Sequence, residues 1–434
     1  MSPQKSFAVF DADSHVVEPH EVWEHYLDTE YRTLGKHALW REQGQHDAYL
    51  KVNGKMFRDS MNPNIPRHAI WRPGMTWEAV GELDPNVRHP AVPGASDAKA
   101  RLADMDAMGV DQTFLYPTWF GEGFHLVEDP DVAWALARAY NDWITDFCGT
   151  APERLFAAAI VPLQNMDFAI AELDRIADSS CFRGVFLRPM FLEDRYFTHP
   201  YFEPLYAELE RRALVAAVHP SAGLWNPEWT SHGPFFEKVK NRLEEGFGFA
   251  GGPTAGGTSG PEMGFKSGLK LGHPIAPTLA PWLDNHMFVA AALIGFGAMQ
   301  RYPELKVVMA HGKASWMEEV LEKMEASTRT LPLSYHYPIR TDPEEMWEEG
   351  HVLLGFDAEE RLVQKLPDVF EKKVTWGSRY PQHDTTSAWD AIAQLTSAGV
   401  GDDALKQMLG ANAAAQFGTL RPTAPPSARR ALGR

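Results

Sequence analysis

Cysteine is almost absent: the 434 residues hold two, Cys148 and Cys181, and no Cys-x-x-Cys pair. That excludes a disulfide framework and a thiolate metal site, and it suits a reducing cytoplasm. No uninterrupted apolar run approaches the ~18 residues of a membrane helix, and residues 1–6 lack the apolar core of a signal peptide. Positive charge is also scarce, with 41 Lys and Arg against 58 Asp and Glu and a net charge of −17. Such a surface disfavours nucleic acid or an anionic membrane as partner, without excluding an anionic small molecule. The expectation is a soluble, cytoplasmic protein acting on a small molecule, with homo-oligomerisation left open.

What is present is an enzyme-sized globular composition, 44% hydrophobic and 23% charged. Short apolar strands alternate with helical patterns. Residues 7–10, 110–117, 154–163, 182–189, 213–219, 305–311, 351–356 and 373–377 read as strands. Asp97 is an N-cap signal for a helix ending at Gly109, and helices are expected over 131–148, 167–177 and 203–212. Eight strands in this alternation predict an α/β fold, a (β/α)8 TIM barrel.

Two long insertions interrupt the alternation. Residues 23–96 are rich in Pro, Trp and His and are expected to pack over the barrel mouth. Residues 224–283, with Trp225, Trp229, Phe235, Phe236, Phe247 and Phe249, read as a lid with its own small core, as a direct substrate contact, or as both, and the glycine-rich stretch 251–260 is expected to be mobile. No strand leads into those glycines and no helix follows, so they are not a nucleotide fingerprint. The chain is expected to be one catalytic domain over 1–420, with a loose tail over 421–434.

Strand ends at one mouth of such a barrel carry its chemistry. Asp13, His15 and Glu18 follow the first strand, His219 the fifth, His311 the sixth, and His383 and Asp384 the eighth. Alone, Asp13 and His15 fit a hydrogen-bonded turn as well as a cation site; the recurrence of such residues at strand ends favours the cation. Seven candidates exceed the ~3 protein ligands of one catalytic ion, so two ions are the economical reading. Carboxylates mixed with imidazoles suit iron or manganese, with zinc as a further choice. His286 could be a ligand, a substrate contact or a cap. Asp357 reads as a helix cap before Ala358, in preference to a support for the site.

With those residues in place, residues 7–417 resemble the amidohydrolase-related family that includes aminocarboxymuconate-semialdehyde decarboxylase. The stretches that carry the resemblance are 11–19, 139–143, 182–189, 301–305, 310–312 and 377–381. Two departures stand out. Asp13 takes the first histidine position of the family's His-x-His, and Arg379 takes the aspartate of its Gly-Ser/Thr-Asp-Tyr-Pro. A guanidinium neither ligates a cation nor serves as a base near neutral pH.

Asp-x-His-x-x-Glu at 13–18, with His383-Asp384 after the last strand, is similar to the TIM-barrel nonheme diiron monooxygenases of platensimycin and platencin diterpenoid biosynthesis. That resemblance implies two Fe held by Asp13, His15, Glu18, His219, His311, His383 and Asp384. It also implies O2 as cosubstrate, an external electron donor, and hydroxylation of an apolar substrate, often linked to coenzyme A as an acyl-CoA. Arg379, and with it His286, would then act on the substrate: Arg379 would orient a carboxylate, thioester or phosphate, or fix a ligand carboxylate, unless it is a salt bridge to Asp384. The alternative is a metal-dependent hydrolase or decarboxylase of the parent family whose base has moved to His311 or Asp384. A ligand-binding barrel without catalysis is a third reading.

Overall fold

A computed structural model of the chain describes residues 5–43, 48–60, 64–189, 199–220, 297–330 and 341–419, with 192, 195, 290 and 293. Residues 224–283, His286 and the tail 421–434, all given roles above, lie outside the described residues. Among the described residues no helix is long and apolar enough to cross a membrane.

Eight strands form one parallel sheet in the order β1 (Phe10–His15), β5 (Gln112–Tyr116), β6 (Leu155–Ala159), β7 (Phe182–Leu187), β8 (Val215–Val218), β9 (Val307–Met309), β10 (Val352–Phe356) and β11 (Val374–Trp376). Seven of them coincide with strands expected from the sequence, and β1 overlaps the expected 7–10 only at Phe10. They are legible because a strand buried on both faces must be apolar throughout: β6 reads Leu-Phe-Ala-Ala-Ala, and every residue is buried.

The sheet curls until its ends meet. The Arg379 N–H donates to the Asp13 carbonyl at 2.7 Å, and the His15 N–H to the Tyr380 carbonyl at 2.7 Å. Gly377 permits this approach, since a Cβ there would lie 2.2 Å from the Asp13 Cβ. At the other end of the barrel Phe417 stacks on Phe114 at 4.2 Å and on Phe10 at 5.4 Å. The eight strands thus enclose a filled core with one functional mouth.

Helices follow their sequence signals closely. Helix α1 (Ala98–Met108) is capped by the Asp97 carboxylate, which accepts from the Ala100 N–H at 2.7 Å, and it ends at Gly109 with φ 79°. In α3 (Pro130–Cys148) the Asn141 side chain donates to the Ile160 carbonyl at 2.8 Å and accepts from the Ile160 N–H at 3.0 Å, fixing the chain just past β6.

The region 23–96 is more regular than its composition suggests. It contains a three-stranded antiparallel sheet, β2 (Leu39–Gln43), β3 (Ala48–Val52) and β4 (Lys55–Ser60). The charged, mixed sequences of these strands hide their period. The Asn53-Gly54 pair was the available signal, both residues being left-handed at φ 47° and 78°, as a tight hairpin turn requires.

Candidate metal centre

The first strand is placed differently from the sequence reading, and the difference builds the site. β1 begins only at Phe10 and runs through the motif, and its pairing with β5 shifts register between Asp11 and Ser14. Simple alternation would send Asp11, Asp13 and His15 to one point. Instead Asp11 turns to the barrel closure, where it accepts from the Ser378 N–H at 2.8 Å and from the Ser378 hydroxyl. Burial raises its carboxyl to about 6.

Asp13 and His15 converge with His219, the residue after β8, and these three ligand atoms lie within 4.8 Å of one another. Asp13 Oδ1 is 3.3 Å from His15 Nε2 and 3.4 Å from His219 Nε2. All three atoms are buried without a hydrogen bond. At metal–ligand bonds of ~2.1 Å, ligand atoms of a four-coordinate ion stand roughly 3.4 Å apart, so the spacing fits a shared cation. The other ring nitrogens support this: His15 Nδ1 lies 3.1 Å from the Pro117 carbonyl and His219 Nδ1 2.6 Å from that of Pro220. An Nδ1–H donated to each carbonyl leaves the Nε2 lone pairs facing Asp13. Burial lowers the His15 pKa to about 4, so its ring is neutral at pH 7.

The remaining expected ligands part company with these three. Glu18 is buried, but its oxygens accept from the N–H groups of Thr118 at 2.8 Å and Phe120 at 3.4 Å, at the start of the short helix α2 (Trp119–Gly123). Burial pushes its carboxyl up to about 7. His383 is exposed. His311, after β9, lines the same cavity as His15 and His219, its ring 5.3 Å from that of His219. Its Nε2 is 3.8 Å from Asp384 Oδ2.

Arg379 is 7% exposed and committed to two carboxylates, Asp357 at 3.0 Å and Asp384 at 3.4 Å. Burial alone would lower its pKa; Asp384 and Asp357 outweigh that and raise it. The salt-bridge reading of Arg379 is therefore realised, and doubled. Asp357 caps no helix: Glu360 occupies the N-cap position that follows, and the Asp357 carboxylate faces Arg379 and Lys313. His68 and Glu122 also line the cavity. Neither lies at a strand end, and a lone His in a Pro-rich stretch gave no sequence signal.

This parallel barrel brings to its mouth an Asp-His-His cluster able to hold a metal ion. Residues 22–419 match the amidohydrolase family model, and the chain belongs to that family. Over 125 residues it is 29% identical to a gamma-resorcylate decarboxylase of Rhizobium radiobacter, matching 28% of this chain and only 38% of that relative's length. An amidohydrolase of Mycobacterium avium subsp. paratuberculosis K-10 shares the fold at TM-score 0.70 and 18% identity, covering 95% of this chain and 98% of that one. A 5-carboxyvanillate decarboxylase of Novosphingobium aromaticivorans, solved with manganese and 4-hydroxy-3-methoxy-5-nitrobenzoic acid, superposes at TM-score 0.55 and 19% identity over 95% and 96% of the two chains.

These relatives correct the expectation of a diiron monooxygenase. Two of the three are decarboxylases and the third is an amidohydrolase; none is an oxidoreductase of diterpenoid or antibiotic biosynthesis. With the monooxygenase goes the expectation of two Fe, O2, an external reductant and an acyl-CoA substrate. The short Asp-x-His-x-x-Glu motif misled because Glu18 serves the α2 backbone and leaves the cluster with three members, a complement for one ion.

Proposed function

We propose that this chain is a metal-dependent decarboxylase of a phenolic aromatic acid, formed by one catalytic domain over residues 1–420. The observation that carries the reading is the convergence of Asp13 Oδ1, His15 Nε2 and His219 Nε2 in a chain of the amidohydrolase family. Two imidazoles and one carboxylate suit a divalent manganese or zinc ion, and manganese accompanies a decarboxylase of the same fold. When bound, such an ion supplies positive charge that stabilises negative charge developing on substrate oxygens.

The chain's own groups do the rest. Loss of CO2 leaves an electron pair on a ring carbon, which must gain a proton. His311 is the imidazole placed for that transfer, lining the cavity beside the cluster with Asp384 behind it. Phe186 and Pro117 give the cavity an apolar wall that suits a planar ring. Hydrolysis of an amide or ester, the reading carried by the family's description, would call on the same His311 to activate water.

The test is CO2 release from gamma-resorcylate by manganese-loaded protein, with His311→Gln as control. Release that disappears in the variant supports the reading. A hydrolytic product from an aryl amide, with no CO2 from the acid, sinks it in favour of hydrolysis.

A further inference from the structure

Five charged or titratable side chains form a row along the mouth. Lys313 Nζ lies 3.6 Å from Asp357 Oδ2, Asp357 Oδ1 3.0 Å from Arg379 Nη2, Arg379 Nη1 3.4 Å from Asp384 Oδ2, and Asp384 Oδ2 3.8 Å from His311 Nε2. Charge alternates along the row, which runs from an exposed lysine to a buried imidazole. Three of its members, His311, Lys313 and Arg379, have left-handed backbones at φ 61°, 63° and 59°. Residues with a Cβ adopt that conformation at a cost and keep it where the surroundings enforce it.

The geometry of Arg379 gives Asp357 a task. Each terminal nitrogen of the guanidinium is drawn to a different carboxylate, so neither carboxylate holds both. An arginine left with one carboxylate tends to grip it through two parallel hydrogen bonds. Without Asp357, the guanidinium is free to turn wholly onto Asp384 and draw it away from His311. We propose that Asp357 is a positioning residue of this site, acting through Arg379 and Asp384 to hold the His311 imidazole in its working orientation. This rests on the decarboxylase reading for its kinetics, but the hold on His311 is a physical property measurable without turnover.

The experiment compares wild type, Asp357→Asn, Asp357→Glu, Asp384→Asn and the double Asn variant. Each is assayed as manganese-loaded enzyme with gamma-resorcylate, and as metal-free protein by NMR of the 15N-labelled His311 ring, assigned by its loss in His311→Gln. Asp357→Asn is expected to lower kcat about tenfold, at the lower end for outer groups that orient a site. KM and manganese content should stay within about twofold, and Asp357→Glu should recover most of the loss. Asp357→Asn should add nothing to Asp384→Asn, because both act through one contact. The His311 ring signal should shift in the same direction in both single variants. An unmoved ring signal in Asp357→Asn, or kinetic losses that multiply in the double variant, overturns the proposal. Absence of CO2 release by wild type would instead defeat the decarboxylase reading, and the ring signal would still decide the role of Asp357.

Discussion

Two clusters of polar side chains are buried to a similar depth in this protein, and they are built on opposite principles. Between α3 and α4 (Met166–Arg175), Asn141 and Glu172 are 0% exposed and every bond is made within the chain. Asn141 Nδ2 donates to Glu172 Oε1 at 2.7 Å, Trp134 Nε1 to Oε2 at 3.1 Å, and Arg175 to both oxygens. At the mouth, Asp13, His15 and His219 are 3%, 2% and 7% exposed, yet their inward atoms have no hydrogen bond. A buried polar atom left unpaired costs roughly 1–3 kcal/mol. The first cluster holds the fold together; the second spends stability on a place for a ligand.

The contrast breaks most visibly at His219. His219→Ala should lower manganese affinity by 100-fold or more and abolish turnover, while metal-free stability falls by only about 1 kcal/mol, since Nε2 was unsatisfied and the Nδ1 bond to the Pro220 carbonyl is the one lost. Equilibrium dialysis and urea unfolding of metal-free protein read the two effects. Destabilisation by several kcal/mol would mean the cluster belongs to the structural kind.

The reverse pattern is expected at Glu172. Glu172→Ala orphans the buried donors of Asn141 and Trp134 and should cost about 3 kcal/mol in urea unfolding, with manganese affinity of the folded protein unchanged. A variant as stable as wild type would show that these bonds contribute little.

Glu18 offers a sharper distinction through pH. Its folded pKa of about 7 lies above the ordinary 4.5, so the folded state binds the extra proton between those values. Stability should therefore fall as pH rises from about 4.5 to 7, by up to about 3 kcal/mol. Glu18→Gln should flatten that part of the profile in unfolding measured at pH 5 and at pH 7.5. An unchanged slope would mean that a cation faces Glu18 after all.

The smallest effect belongs to His383. Exposed and apart from the three converging atoms, it should tolerate alanine with manganese affinity and turnover within about twofold. A larger loss would return it to the site.

The barrel strands were legible because burial on both faces leaves a continuous apolar run, and α1 was legible because Asp97 and Gly109 mark its ends by local chemistry. Asp13, His15, His219 and His311 are picked out for a related reason: each sits at or just after a strand, where the fold presents side chains to the mouth. Glu18 and Asp357 were misread because their partners, the backbone of α2 and the guanidinium of Arg379, lie about a hundred and about twenty residues away by chain and are set by tertiary packing. Asn141 stood in one of the stretches that suggested the family, and its bonds to Ile160 and Glu172 show a structural role there, not a catalytic one. The β2–β4 sheet escaped because surface strands lack the apolar run that betrays buried ones.

The barrel closure has a consequence for synthesis. The Ser14 hydroxyl bonds to the Tyr380 carbonyl across 366 residues of chain, and the same closure orders the backbone around Asp13 and His15. Ribosomes release the N-terminus first, so Asp13 and His15 wait through nearly the whole of translation for the strand that fixes them. Contacts of such separation form late and slowly. The convergence of Asp13, His15 and His219 is thus an event of late synthesis, and a product ending before β11 would carry all three side chains without the frame that aligns them.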